Sequence, residues 1–359
     1  MKGRSKLVLI GPYPPPAGGI SVHVQRLASL LDAEYDVRVL DPYRRSASGM
    51  EPLVTACGPP GPGSIVRAAS AVRGAAVDLV HIHVSSMNRF AYGGHVLVKL
   101  LPKAPRKMLT IHSGSFVPDY RAANGVTRAV VAGLLRSFDF VIAVSPEIGV
   151  QLEKCGVQAG AISVLPAFIP PVSSGTAQMP ACLSSVRTAG RKLLVSSGYG
   201  IRDYGFDVIL NALSRSEELQ AGCSVAICLY NTYDDEYVGE LEESASRLPG
   251  VTIFRDLSAA EFGSLLAVAD VYVRATNRDG DAVAIREAAH YGKPVVASDC
   301  VVRPDGCRLF RTGDSDSLSE ALRAVLRDAG AGIVATDGKV TDRYIDLYRR
   351  CLDGPRRQM

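Results

Sequence analysis

Short runs dominated by Val, Ile and Leu recur along this chain, separated by longer stretches whose apolar residues return every three or four positions. The short runs at Leu7–Gly11, Val37–Asp41, Leu79–Val84, Lys107–His112, Phe140–Ser145 and Ile162–Pro166 predict strands. Between them, Ile20–Leu31, Ile65–Arg73, Arg89–Leu101, Val126–Arg136 and Pro146–Cys155 carry the helical period. Strands apolar on both faces and alternating with helices predict a parallel sheet covered on both sides. Around residues 171–190 the chain turns rich in Ser, Gly, Thr and Pro and reads as a linker. The alternation then resumes at Lys192–Ser197, Ser224–Tyr230, Val251–Arg255, Val271–Ala275 and Pro294–Ser298. The expected organisation is therefore two doubly wound α/β domains, over residues 1–170 and 191–340, with a last helical segment at 341–359. Ligands of such sheets bind beyond the carboxyl ends of the strands. Gly58–Gly63 reads as an exposed Pro/Gly loop and Gly354–Met359 as a frayed tail.

Composition sharpens this picture in two places. The chain has 359 residues, enough for two ordinary cores, with 47% hydrophobic and 21% charged residues. Its net charge of +4 is uneven: residues 1–175 hold 18 Lys/Arg against 10 Asp/Glu, and the remainder 22 against 26. A basic first half suits an anionic partner such as a lipid head group or lipid pyrophosphate. Nucleic acid is not expected, since no motif for it is present and aromatic residues make up only 6%. The eight cysteines form no C-x2-C pair, so no cysteine zinc site is expected and the thiols read as reduced. The longest apolar region, Val126–Val144, is broken by Arg128, Arg136 and Asp139, and no membrane span is expected. A cytoplasmic protein is expected, with Arg89, Lys99, Lys103, Arg106 and Lys107 around the Phe90–Leu101 helix offering a surface for an anionic bilayer. An ordinary solvated helix fits the same charges.

Four segments carry candidate chemistry. The loop after the first strand ends in Gly18–Gly19 at a helix start, where backbone N–H groups can approach a ligand; it is neither a P-loop nor a dinucleotide fingerprint. His112, followed by Ser113, stands at a strand's carboxyl end, and His83 ends another; His81, on the same strand, together with His23 and His290 reads as structural. The glycine-rich stretch Ser196–Asp207 opens the second domain. In Asp279–Ser298, Asp279 and Glu287 stand eight apart across a loop-to-helix junction, with Gly292 as a cap and Pro294 before a buried strand. Two such acids can converge on one ligand over the helix N-terminus, which offers N–H groups to phosphate.

That spacing resembles the carboxylate-x7-carboxylate signature of retaining glycosyltransferases of family 4, which have the GT-B fold. The resemblance runs from the Gly18–Gly19 loop to the last helix. It implies two Rossmann-like domains with a cleft between them and a terminal helix that returns to the first. It implies transfer from a UDP- or GDP-sugar to an acceptor hydroxyl with the anomeric configuration kept, without a metal. The natural acceptor class is a lipid-linked saccharide of bacterial surface polysaccharide, handled at the membrane's inner face. His112 and Asp279 would lie at the catalytic centre, with His83 and Ser113 toward the acceptor. The donor would meet Gly18, Gly19, Gly198, Tyr199, Arg202, Tyr204, Gly280, Asp281, Ala282 and Val283, with Glu287 on the ribose. Arg303-Pro304-Asp305-Gly306 with Gly313-Asp314 resembles the family's P-E-G…G-D turn, an architectural feature.

Two departures stand out. Asp279 replaces the usual Glu. In the G-R-x4-K-G-x-D loop that grips the diphosphate, Tyr199 and Tyr204 occupy the Arg and Lys positions, which leaves Arg202, Arg274 and Arg278 as candidate replacement cations. An impaired GT-B protein serving as a sugar-binding or partner module, and a nucleotide-sugar epimerase, are the alternatives.

Overall fold

The computed structural model describes residues 3–44, 53–84, 86–103, 105–171, 186, 190–279, 283–328, 330, 332–334 and 338–354. The chain divides into two compact units. Unit 1 takes Met1–Pro14, Ile20–Val172 and Gly338–Met359, and unit 2 takes Pro15–Gly19 and Ser173–Asp337. Most of the 171–190 segment and the tail beyond Gly354 lie outside the described residues.

Unit 1 is built on β1 (Lys6–Ile10), β2 (Asp36–Asp41), β3 (Val54–Ala56), β4 (Leu79–Val84), β5 (Arg106–Ile111), β6 (Phe140–Ala143) and β7 (Ile162–Val164). They form a parallel sheet in the order β3-β2-β1-β4-β5-β6-β7. Chain order reverses between β1 and β4, which pair with Leu9 opposite His81. That reversal opens a crevice at the strands' carboxyl ends. Helices α1 (Gly19–Leu31), α2 (Pro62–Gly74), α3 (Gly125–Arg136) and α4 (Pro146–Lys154) are among those that connect the strands. Their starts are fixed locally: Asn124 accepts from Thr127 N at 2.8 Å, and Ser145 caps α4 ahead of Pro146.

Unit 2 repeats the plan with β8 (Lys192–Gly200), β9 (Cys223–Tyr233), β10 (Val251–Arg255), β11 (Val271–Arg274), β12 (Val295–Ser298) and β13 (Arg308–Phe310), all parallel, in the order β10-β9-β8-β11-β12-β13. Its reversal lies between β8 and β11. Helices α5 (Phe206–Ser214), α6 (Asp235–Ser246), α7 (Ala259–Val268), α8 (Val283–His290) and α9 (Ser315–Arg327) accompany it. A Ser258–Glu261 capping box starts α7, and Asp314 caps α9.

Helix α10 (Val340–Asp353) belongs to unit 1, where Tyr344, Leu347, Tyr348 and Cys351 are fully buried among Leu7, Leu9, Val24, Leu27 and Val39. Arg343 donates to Val164 O at 2.7 Å, and Arg349 pairs with Glu34 at 2.6 Å.

Three sequence expectations are corrected. Gly58–Gly63 is not all loop, because Pro62 fits the first helical position and starts α2. The Arg89–Leu101 helix is broken: a π turn at Phe90–Gly94 separates Met87–Arg89 from His95–Leu100. Arg106 is not a surface cation; it opens β5, is buried, and donates to Gly354 O. Arg89, Lys99 and Lys103 are exposed.

Candidate functional site

In unit 2 the glycine-rich stretch leaves β8 at the sheet's reversal point and turns through Arg202–Tyr204 into α5. Gly205 makes the turn with φ of 64°, and a Cβ there would stand 2.0 Å from Ala275 O. Tyr204 folds back so that its ring covers Gly198, where a side chain would overlap it. The Tyr199 and Tyr204 rings lie 5.3 Å apart. Burial pushes the Tyr204 phenol up to about 12, although Arg274 pulls the other way, so the phenol is neutral at physiological pH. Arg202 points to Glu240, with both contacts at 2.8 Å, and both residues are exposed.

The cation beneath this loop is Arg274, at the end of β11. Its guanidinium lies 4.9 Å from the centre of the Tyr204 ring. It donates to Ser197 O at 2.9 Å and grips Asp279 through Nε and Nη2, each at 2.8 Å. Arg303 closes the other side, donating to Asp279 Oδ2 at 2.6 Å, to Thr276 Oγ1 at 2.9 Å and to Ser298 O at 2.9 Å. Thr276 Oγ1 adds a bond to Asp279 at 3.1 Å. Side-chain exposures of 9% for Arg274, 7% for Asp279 and 2% for Arg303 place the whole group out of water. Burial acts to raise the Asp279 pKa, but the charges and hydrogen bonds of Arg274 and Arg303 outweigh it and hold the carboxyl well below the usual range. Two guanidinium groups on one carboxylate leave an excess of one positive charge at the strands' carboxyl ends. Arg303 stood in the sequence only as part of a turn motif, and its partnership with an acid 24 residues earlier had no signal there.

Val283 begins α8, and Glu287 lies half-buried one turn in. Gly280, Asp281 and Ala282, expected to meet the donor, lie outside the described residues. Pro15–Gly19, with the Gly18–Gly19 pair, groups with unit 2.

Unit 1 gathers histidines at its own reversal point. His81 and His83 share a face of β4, His112 follows β5, and His23 comes from α1. His83 Nδ1 lies 3.1 Å from His112 Nε2, and His23 Nδ1 lies 2.6 Å from Ala167 O. His81 is spent on Tyr348 OH and Thr110 Oγ1. His23, expected to be structural, thus joins the two histidines singled out as functional. Burial lowers all four pKa values, that of His23 to about 4, so the rings are neutral at physiological pH. Ser113 Oγ sits 2.9 Å from Ser115 Oγ. Beside His83 opens a cavity of about 820 Å³, lined by apolar residues including Ile10, Ile65, Ile82, Phe90 and Leu97, with Arg89 and exposed Tyr92 at its wall.

Two parallel, doubly wound units in one chain, each with its polar residues at the reversal of strand order, define the GT-B class of glycosyltransferase fold. Residues 17–172 match the model of Glycosyltransferase Family 4 and residues 191–328 that of Glycosyl transferases group 1. The chain belongs to glycosyltransferase family 4 and is a glycosyltransferase.

Solved structures resemble it along nearly their whole length. HepE of Anabaena, in complex with UDP and glucose, superposes with a TM-score of 0.68 at 15% identity, covering 97% of this chain and 95% of that one. Sucrose-phosphate synthase of Thermosynechococcus elongatus gives 0.72 at 18% identity, covering 98% and 100%. S. aureus MnaA, solved with UDP, gives 0.65 at 13%, covering 99% of each. At these identities the likeness speaks for the fold alone. No curated protein sequence matches the chain.

Proposed function

We propose that the chain moves a sugar from a nucleoside diphosphate sugar, UDP- or GDP-linked, to a hydroxyl of a lipid-linked saccharide, keeping the anomeric configuration. The observation that carries this is the buried excess of positive charge at Arg274, Asp279 and Arg303. It lies beneath the loop where family members grip the diphosphate with Arg and Lys. Here Tyr199 and Tyr204 cannot supply charge, and Arg274 under the Tyr204 ring supplies it through its field. Because the cation is fixed and dry, it needs no metal to hold the leaving diphosphate. Asp279 then acts by positioning the two arginines, while Glu287 on α8 receives the ribose hydroxyls. The HepE complexes with UDP-glucose and with UDP and glucose support UDP as the carrier.

The apolar cavity of unit 1, with Arg89 and Tyr92 at its wall, supports an acceptor that is part lipid and part anion, as does the basic charge balance of residues 1–175. His83 and His112 would face its hydroxyl. No helix among the described residues is long and apolar enough to cross a membrane. The reading has the protein act at the inner bilayer surface, as part of surface polysaccharide assembly. The test is transfer from a panel of radiolabelled UDP- and GDP-sugars to a bacterial lipid extract, with the product's anomeric configuration read by NMR. Labelled glycolipid of retained configuration is expected. Epimer without acceptor, or saturable nucleotide binding without chemistry, overturns the reading. Glu287→Ala should abolish UDP binding by calorimetry, and unchanged affinity would remove α8 from the donor site.

A further inference from the structure

The histidines of unit 1 do more than line a crevice. His23, His83 and His112 each bring one ring nitrogen within 4.8 Å of the other two. In tetrahedral zinc sites Zn–N bonds of about 2.0–2.1 Å set nitrogens roughly 3.4 Å apart. One spacing here, His83 Nδ1 to His112 Nε2, is already 3.1 Å. The other spacings are at most 4.8 Å, so closure on an ion asks the rings to shift inward.

Two further observations point to a ligand. His23 Nδ1 faces a carbonyl that can only accept, so Nδ1 carries the proton and Nε2 keeps its lone pair. Metal-binding histidines are oriented this way, with the second nitrogen donating to a backbone carbonyl. And His23 Nε2 is buried with no hydrogen-bond partner, a costly state that a cation relieves. We infer that His23, His83 and His112 form a binding site for a borderline divalent transition ion, zinc foremost. Three imidazoles with neither carboxylate nor thiolate disfavour calcium and magnesium, which take oxygen ligands, and suit zinc, nickel or copper. Burial of His23 and His83 fixes two ligands, while half-exposed His112 leaves a path for entry and a fourth position. The site shares His83 and His112 with the proposed acceptor side of the transfer reading but nothing with the donor site of unit 2, and UDP binding measured in parallel separates the failure of one from the other.

The test uses the full chain without a histidine tag, stripped with chelator and titrated with Co²⁺ and then Zn²⁺. One equivalent of Co²⁺ is expected, with the intense visible bands of a four- or five-coordinate ion, displaced by one equivalent of Zn²⁺. His112→Ala, at the half-exposed position, should weaken binding at least tenfold with the circular dichroism unchanged. His23→Gln should do the same, and His290→Ala should leave affinity as it was. No stoichiometric binding, a thiolate-to-cobalt charge-transfer band, or full affinity in His112→Ala overturns the site.

Discussion

Asp279 is the residue on which unit 2's site turns. Its spacing to Glu287 is readable in the sequence; its attachment is not, because Arg274 reaches it from the end of β11 and Arg303 from the loop after β12. Removing one partner of a buried ionic group leaves uncompensated charge. Asp279→Asn should therefore cost about 3–5 kcal/mol in urea unfolding. A pH series supplies a second check. The folded Asp279 pKa is held below the ordinary value of about 3.9, so its stabilisation is full above that value and is lost as pH falls toward the folded one. The Asn variant should lose less stability across that acid window than the parent; parallel curves would remove Asp279 as the cause. Tyr204→Lys, which restores the family's cation, should destabilise unit 2, since it replaces a ring on the Arg274 guanidinium with a second positive charge.

Among elements, the interior strands are legible because each holds a run of mostly apolar residues that is largely buried, even where polar residues such as His81 and His83 interrupt it. The edge strands β3 and β13 are not, since the triplets Val-Thr-Ala and Arg-Leu-Phe extend into no longer apolar run, whereas the equally short β7 leads on to Leu165. The helix after β4 fails for another reason: its apolar period continues through Gly93–Gly94, but Gly94 packs against the Phe90 ring in a π turn that sequence period does not distinguish. The turn from β8 into α5 depends on Gly205. Gly205→Ala places a Cβ against Ala275 O at positive φ, so a loss of about 2 kcal/mol or more is expected, with UDP affinity falling alongside. A melt and a calorimetric titration of the same sample check both.

At the scale of the whole molecule, the alternation of strand and helix conveys two doubly wound units, while the interleaving of the chain between them lies in contacts that no local pattern encodes. Unit 1 takes its last helix from beyond unit 2. Truncation before Gly338 should expose the apolar face that Tyr344, Leu347 and Tyr348 cover, so unit 1 should become protease-sensitive while unit 2 stays resistant. Equal loss in both units would contradict this.

The same helix sets an order of events during synthesis. Ribosomes add about 5–20 residues per second. The first strands of unit 1 therefore wait for roughly ten seconds or more, while all of Ser173–Asp337 is made, before α10 reaches them. Apart from Pro15–Gly19, unit 2 is made as one contiguous stretch. Unit 1 meanwhile persists as a sheet with an uncovered flank and is the natural client for a chaperone. Until α10 has left the ribosome, unit 1 stays unfinished whatever the state of unit 2.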